Sequence, residues 1–439
     1  MTIREMTKMY AIREHKLHNG MTMLFWPQPH LHGVEFGLYL KGGPVYETED
    51  SQGVSHLLEH LCFRGLGGPD DRLTHDGLQK LLNRFGAELE GMTAAEALVF
   101  RLTALPRHFD GVLGLFTRFF SGTPWTSEEI EAEKQVVIRQ IEEEDSDFED
   151  AVDQAWRETP GGVFPRMGTA ESVSALDEFT IFNWQRLIFQ PQNACLVVTG
   201  NFSEGMALAA MEAFSELQNY TDEAPFDQPV PLGFTMRDAS SDLVMDEEGG
   251  QASIHLAFDV DEEAVSPLAV QVLDMVTGGS CDSLLFQALR EEEALVAEIE
   301  SFLQETGSFQ RLVIRCDVRQ EKLEECLQKI FTCLRRLTMY VRPVRLEQAR
   351  AMFLTANTLA QDSVTELNEL AGWAWVAGDV SRADLDAQLS QLDEMTPEEL
   401  LDAAQTVFKP GNLTISVRRD PAIVPGDLSA LLEELRGML

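Results

Sequence analysis

The sequence is short of basic residues, of paired cysteines and of long apolar runs, and each shortage excludes a class of protein. Lys and Arg number 34 against 73 Asp and Glu, for a formal net charge of -39. A field of that sign repels nucleic acid and anionic lipid and favours basic partners or substrates. Cys62, Cys195, Cys281, Cys316, Cys326 and Cys333 are scattered, with no Cys-x-x-Cys among them. Neither a disulfide scaffold nor a zinc ribbon is indicated, so reduced thiols are expected. Residues Met1 to Lys8 contain no apolar core of a signal peptide, and no later run is long enough to span a membrane, so the expected location is cytoplasmic. Hydrophobic residues make up an ordinary 44% of the chain, and 439 residues exceed what one core supports. Two domains or more are expected.

One stretch stands out, Gly53-Val54-Ser55-His56-Leu57-Leu58-Glu59-His60-Leu61-Cys62-Phe63-Arg64-Gly65. In a helix, His56, Glu59 and His60 leave one face, because residues three and four apart are neighbours on the surface. Zn²⁺ takes neutral imidazoles as ligands and in catalytic sites keeps a position open for water. A carboxylate beside that water can take its proton during attack on a peptide carbonyl. His-x-x-Glu-His is the reversed zincin pattern. The competing reading is a buried amphipathic helix whose histidines merely form hydrogen bonds, and five residues alone do not separate the two.

In chain order, Asn19-Gly20 predicts a hairpin within residues 10–26, and Val34 to Leu40 alternates as a strand. The motif helix closes at Gly65, and a further helix runs from Leu78 to Phe85 before Gly86. Ala87 to Phe100 reads as two strands turning near Gly91, and Leu105 to Phe120 as helical. Thr126 and Glu129 can form a capping box on a helix whose apolar side is Ile130, Val136, Val137, Ile138 and Ile141. The acidic residues past Glu144 read as a solvated face. Helices are expected near 148–158 and 176–188. Phe189-Gln190-Pro191-Gln192-Asn193 then leads into the strand Ala194 to Thr199, and Phe408-Lys409-Pro410-Gly411-Asn412 into the strand Leu413 to Val417. The shared Phe-x-Pro-x-Asn, half a chain apart, is an internal repeat.

The repeat sets the expected organisation: an N-terminal zinc-motif domain over 1–217, a polar linker over 218–231, and a homologous domain over 232–439 that lacks the motif. In the second copy, Ala252 to Phe258 is a strand, and Ser266 to Val276 and Ser283 to Arg290 are helices. Strands and helices alternate without the rhythm of a parallel sheet, which favours an α+β class with two homologous α/β sandwiches. His15, His18, His30 and His32, and the isolated His75, His108 and His255, lack motif spacing and read as ordinary polar surface residues.

Along nearly its whole length the chain resembles the pitrilysin and mitochondrial-processing-peptidase family of zinc metallopeptidases, the inverzincins. The matches are Leu17-x-Asn19-Gly20, Gly42-Gly43 with Glu47, Gly53-x-x-His56-x-x-Glu59-His60, Gly168-Thr169, Pro191-x-Asn193, Gly200-Asn201, and Gly278-Gly279 followed by Leu285-Phe286 and Leu289-Arg290-Glu291. The resemblance implies that His56 and His60 bind Zn²⁺ and that Glu59 is the general base. It also implies a third ligand, a glutamate seven residues after another glutamate that belongs to the catalytic set. Glu133 fits the earlier position, and Gln140 stands at the ligand position.

A neutral amide oxygen is a poorer ligand than a carboxylate. Sequence leaves open a weak natural site, a substitute ligand in Glu143 or Glu144, and a replaced glutamate. Two other departures concern substrate: Glu90-Gly91 stands where the family tends to carry Asn-Ala, and Leu284 and Ala297 where it often carries an Arg and a Tyr. The resemblance therefore implies a zinc endopeptidase subunit, half of a clamshell chamber, that takes peptide as an added strand. A homologous partner subunit would supply the Arg and Tyr, in a heterodimer or, alternatively, a homodimer. The contrasting expectation is a non-catalytic peptide-binding or scaffold subunit of the same fold. Metal content separates the two.

Overall fold

The computed structural model describes residues 11–122, 125–144, 152, 165–226, 242–261, 264–306 and 309–439. The first eight strands are β1 (Arg13–Lys16), β2 (Thr22–Pro27), β3 (Val34–Lys41), β4 (Gly65–Leu66), β5 (Leu73–Thr74), β6 (Glu90–Thr93), β7 (Ala97–Ala104) and β8 (Ala194–Gly200). Six of them form one sheet in the order β1-β2-β8-β3-β7-β6, and β4 pairs with β5 separately. The hairpin forms as expected, with β1 antiparallel to β2 and Gly20 at φ 88°.

The central strands are buried and mostly apolar on both faces, with side chains alternating across each strand and the buried Glu35 and Thr199 on the second face. Val34, Phe36, Leu38 and Leu40 of β3 join Leu196 and Val198 of β8 in the larger core, with the helices Val54–Arg64, Phe109–Thr117 and Glu178–Ile188. Leu24, Tyr39, Val99 and Val197 face the other way, onto Leu367 and Ala371 of the helix Val364–Val376. That helix comes from the far half of the sequence. Thr199 Oγ1 donates to the Val364 carbonyl at 2.7 Å, Tyr39 Oη to the Asn368 carbonyl at 3.2 Å, and Asn368 Nδ2 to the Val197 carbonyl at 3.1 Å.

This contact changes the domain boundaries expected from chain order. The first compact unit holds the described residues through Glu144, those from 165 to 226, and Asn357–Leu385. The second holds Val152 and the remaining described residues from 242 to Ala356 and from Asp386 to Leu439. Residues 357–385, expected in the C-terminal domain, cover the second apolar face of the first sheet. Residues 227–231 of the expected linker lie outside the described residues, as does all of the expected helix near 148–158 except the buried Val152.

The second unit contains β9 (Leu243–Asp246), β10 (Ala252–Val260), β11 (Val296–Thr306), β12 (Phe309–Val318) and β13 (Leu413–Arg419), ordered β11-β12-β10-β13-β9. Read from the other edge, this order matches β2-β8-β3-β7-β6, and the parallel pairs β2·β8 and β13·β9 correspond. The repeat signature explains itself locally. After each helix, Pro191–Asn193 and Pro410–Asn412 form a 3₁₀ turn, and the asparagine side chain donates back to the helix carbonyls Ile188 O and Val407 O, each at 3.1 Å. The architecture is α+β, two homologous sandwiches.

Four local expectations change. Gly91 lies inside β6, and the turn falls after Thr93, so glycine there does not mark a reversal. Val136 is 40% exposed, and the buried side of its helix is Ile130, Glu133, Val137 and Ile141. His255 is 4% exposed on β10 rather than a surface residue. The expected Ser283 to Arg290 helix forms largely as a π-helical turn over Phe286–Glu292.

The crossing helix packs so closely that Gly372 has no room for a methyl group. A Cβ there would stand 2.0 Å from the Tyr39 ring. Gly372→Ala, which in an open helix position would stabilise the protein, is expected to destabilise it by about 1–3 kcal/mol through overpacking. Denaturant unfolding checks this, and adding Tyr39→Ala should remove most of the difference between Gly and Ala at 372.

Candidate metal centre

The motif helix Val54–Arg64 begins with Gly53 in the left-handed region, φ 82°, and its own residues supply no side-chain cap. The buried Glu47 carboxylate caps it from outside, accepting from Gly53 N at 2.8 Å and Ser55 N at 2.9 Å. Burial pushes the Glu47 carboxyl up to about 7, although the N–H groups of Ser55 and Gly53 favour its anion. Ser55 Oγ in turn accepts from Gly43 N at 3.1 Å and Trp184 Nε1 at 2.9 Å. Val54, Leu57, Leu58, Leu61 and Cys62 fill the core. The opposite face carries His56, Glu59 and His60.

The second wall is the helix Ser127–Glu144. Thr126 and Glu129 form the expected capping box, with Thr126 N to Glu129 Oε2 at 2.8 Å and Glu129 N to Thr126 Oγ1 at 3.2 Å. Glu133 and Gln140, two helical turns apart, face the motif helix. Gln140 Oε1 lies 3.3 Å from His56 Nε2, and Glu133 Oε2 lies 3.2 Å from His60 Nδ1. The two imidazoles are edge to face with centroids 4.7 Å apart. The five residues expected from sequence, His56, Glu59, His60, Glu133 and Gln140, are thus gathered in one place. Glu143 is exposed, and the side chain of Glu144 lies outside the described residues.

Each carboxylate already has partners. Glu59 Oε2 accepts from Thr93 Oγ1 at 2.6 Å and stands 3.5 Å from His56 Nδ1. Burial pushes its carboxyl up, but the bonds from His56 and Thr93 and the charges of the two imidazoles outweigh that and hold it below the usual range. Glu133 is 3% exposed; burial raises its carboxyl, and the bonds from His60 and Arg64 outweigh it to leave the group lowered. Arg64 Nε donates to Glu133 Oε1, so a guanidinium and an imidazole share this carboxylate. Thr93, Arg64 and Trp184 had no local sequence signal, because each acts across a fold contact.

His56 tests whether these residues suit a cation. A neutral imidazole has one N–H and one lone pair, yet His56 faces an oxygen from each ring nitrogen, Gln140 Oε1 and Glu59 Oε2. A cation at Nε2, or a second ring proton, satisfies both. His60 Nδ1 is held by Glu133, the orienting carboxylate that metal-binding histidines use, which leaves Nε2 as donor. Among the described residues, no three His, Cys, Asp or Glu side chains form a ligand set. The residues present fit a divalent cation through two imidazoles and one amide oxygen, with no anionic ligand.

Residues 26–161 match the Insulinase (Peptidase family M16) family, and residues 180–353 match the Peptidase M16 inactive domain. An uncharacterized zinc protease of Rickettsia felis is 22% identical over 82% of this chain and 87% of its own length. The fold is shared with a protease from Helicobacter pylori, at TM-score 0.78 and 18% identity over 93% of this chain and 99% of that one. The first half of the periplasmic protease PqqL from Escherichia coli matches at TM-score 0.76 and 15% identity, over 97% of this chain and 96% of that one. The two family models together span well over half of the chain, with the histidine motif in the first matched segment and none in the second, and establish that the chain belongs to the M16 peptidase family, the family of pitrilysin and the mitochondrial processing peptidases.

Proposed function

We propose that this chain is the zinc-bearing subunit of a metalloendopeptidase. The observation that carries the reading is the approach of His56 to Gln140 across two helices, with His60 beside it on the motif helix and the Glu59 carboxylate next to His56. A bound zinc ion would supply Lewis acidity and a water of lowered pKa. His60 would ligate through Nε2 while Glu133 holds its Nδ1–H. Glu59, kept ionised by its hydrogen bonds, would accept the proton of the attacking water and pass it to the leaving amine. The edge strand β6 lies against the motif helix and offers main-chain groups on which a peptide can add as a strand. A cytoplasmic setting is in keeping with the six free cysteines, and among the described residues no helix is long and apolar enough to cross a membrane.

The second reading, a non-catalytic peptide-binding or scaffold subunit, is favoured by Gln140 specifically. Metal analysis distinguishes the two. Protein prepared without chelator is expected to hold zinc, and His56→Ala or His60→Ala to bind it at least about tenfold more weakly. Gln140→Glu is expected to tighten binding by a similar factor, because it adds an anionic oxygen. Wild-type protein that takes up no zinc even in excess would leave the scaffold reading standing.

Glu59 acts on the water and not on the metal in this reading. Glu59→Gln is expected to lower kcat about 100- to 10,000-fold, the usual worth of a general base, with zinc content unchanged. Retained turnover removes Glu59 from the mechanism.

Half a chamber is the proposed architecture, completed by a homologous subunit. The near-complete match to the first half of a longer protease supports this, as do Leu284, half-buried against its own core, and Ala297 on β11. Neither side chain can hold a substrate as an Arg and a Tyr would. Cleavage by the chain alone is expected to be on the order of a hundredfold slower than with its partner, the size of effect that misorientation produces. Basic peptides should be preferred at low salt, a preference that salt weakens. Chromatographic mass and peptide cleavage, measured with and without the partner, check both, and full activity from this chain alone overturns the division of labour.

A further inference from the structure

We propose that Thr93 and Gly91, two residues apart on β6, form the seat that aims the Glu59 carboxylate, with Thr93 a positioning residue for the proposed base. Residues i and i+2 of a strand share a face, and both of these meet Glu59. Thr93 is 2% exposed, and its hydroxyl donates to Glu59 Oε2 at 2.6 Å, the length of a bond to an ionised acceptor. At Gly91 a Cβ would stand 2.9 Å from Glu59 Oε1 and 2.7 Å from the Phe63 ring. Gly91 is not among the glycines with positive φ. Its small size therefore matters for room and not for backbone conformation, and the room is filled by the Phe63 ring and the second carboxylate oxygen of Glu59.

Pairing of Gly91 with Phe100 and of Thr93 with Leu98 fixes the seat to the sheet. A group held on a paired strand keeps its geometry better than one held on a loop. Glutamate has three rotatable side-chain bonds, and a single short bond at Oε2 removes most of that freedom. Oε1 is then the oxygen left to take a proton. The same strand would thus orient the base and present the edge on which a peptide adds, which sets the base at a constant distance from the bound chain. This rests on the reading of Glu59 as base.

The test uses the full chain with its partner, assayed for kcat, KM and zinc content on a fluorogenic peptide mixture. Thr93→Val is expected to lower kcat about 10- to 100-fold, as misplacement of a catalytic group by about 1 Å does. KM and zinc content should be unchanged, and Thr93→Ser should restore the rate. Crystal structures of metal-free wild type and variants supply a readout independent of turnover. In Thr93→Val the Glu59 carboxylate should leave its present position by about 1 Å or more, and in Gly91→Ala Oε1 should be displaced. If Thr93→Val does not fold, Thr93→Ser and Gly91→Ala decide, the first keeping Glu59 in place and the second moving it. A dead Glu59→Gln beside a fully active Thr93→Val, or a Glu59 unmoved in both Thr93→Val and Gly91→Ala, overturns the seat alone. Turnover retained by Glu59→Gln overturns the base reading, and the crystal structures still decide whether the seat exists.

Discussion

Everything in the candidate site depends on a buried helix N-terminus that its own residues do not cap. The first amide groups of a helix have no partner inside it, and leaving them dry and unpaired is costly. Glu47 resolves this from outside the helix, and Ser55 ties the same turn to Gly43 and to Trp184. Segments far apart in the chain therefore grip the turn that immediately precedes and includes His56. With the opposite face locked by Leu57, Leu58 and Leu61, the helix cannot roll, and the imidazoles have a fixed direction.

Charge is distributed unusually around that fixed helix. The two buried carboxylates nearest the imidazoles are both ionised by partners, Glu59 through Thr93 and His56, Glu133 through His60 and Arg64. Gln140, which reaches the His56 ring directly, is neutral. A cation bound here would be neutralised from groups that hydrogen-bond its ligands and its water, and not from a ligand itself. Such an arrangement would bind a cation less tightly than one with an anionic ligand.

The duplication shows how much of a fold can persist without its chemistry. Both sheets have the same strand order, and both Phe-x-Pro-x-Asn segments turn through the same asparagine bonds. The second half has no histidine motif, although β10 carries a buried His255. A scaffold of this kind is specified by apolar alternation and turn chemistry, which act locally and repeat well. A metal centre needs a few residues in a few places, so a small number of substitutions removes it.

Much of this was legible in the sequence because it is local. The spacing of His56, Glu59 and His60 places three groups on one helix face whatever that helix packs against, and the capping box at Thr126 starts its neighbour within one turn. The asparagine turns and the alternation of β3 are equally short-range, and the resemblance supplied Glu133 and Gln140 in register. Tertiary structure decided the rest. Gly91 read as a turn because glycine usually reports backbone conformation, whereas here it makes room for Glu59, which lies 32 residues earlier in the chain. Val136 read as core because it is apolar, although the buried side of its helix is Ile130, Glu133, Val137 and Ile141, with Glu133 looking toward His60. The assignment of residues 357–385 to the first unit rests on a free apolar sheet face that only a distant helix fills. Sequence periodicity shows that a face must be buried but carries no information on what buries it, because that choice is made by shape and by single contacts such as Asn368 against Tyr39 and Val197.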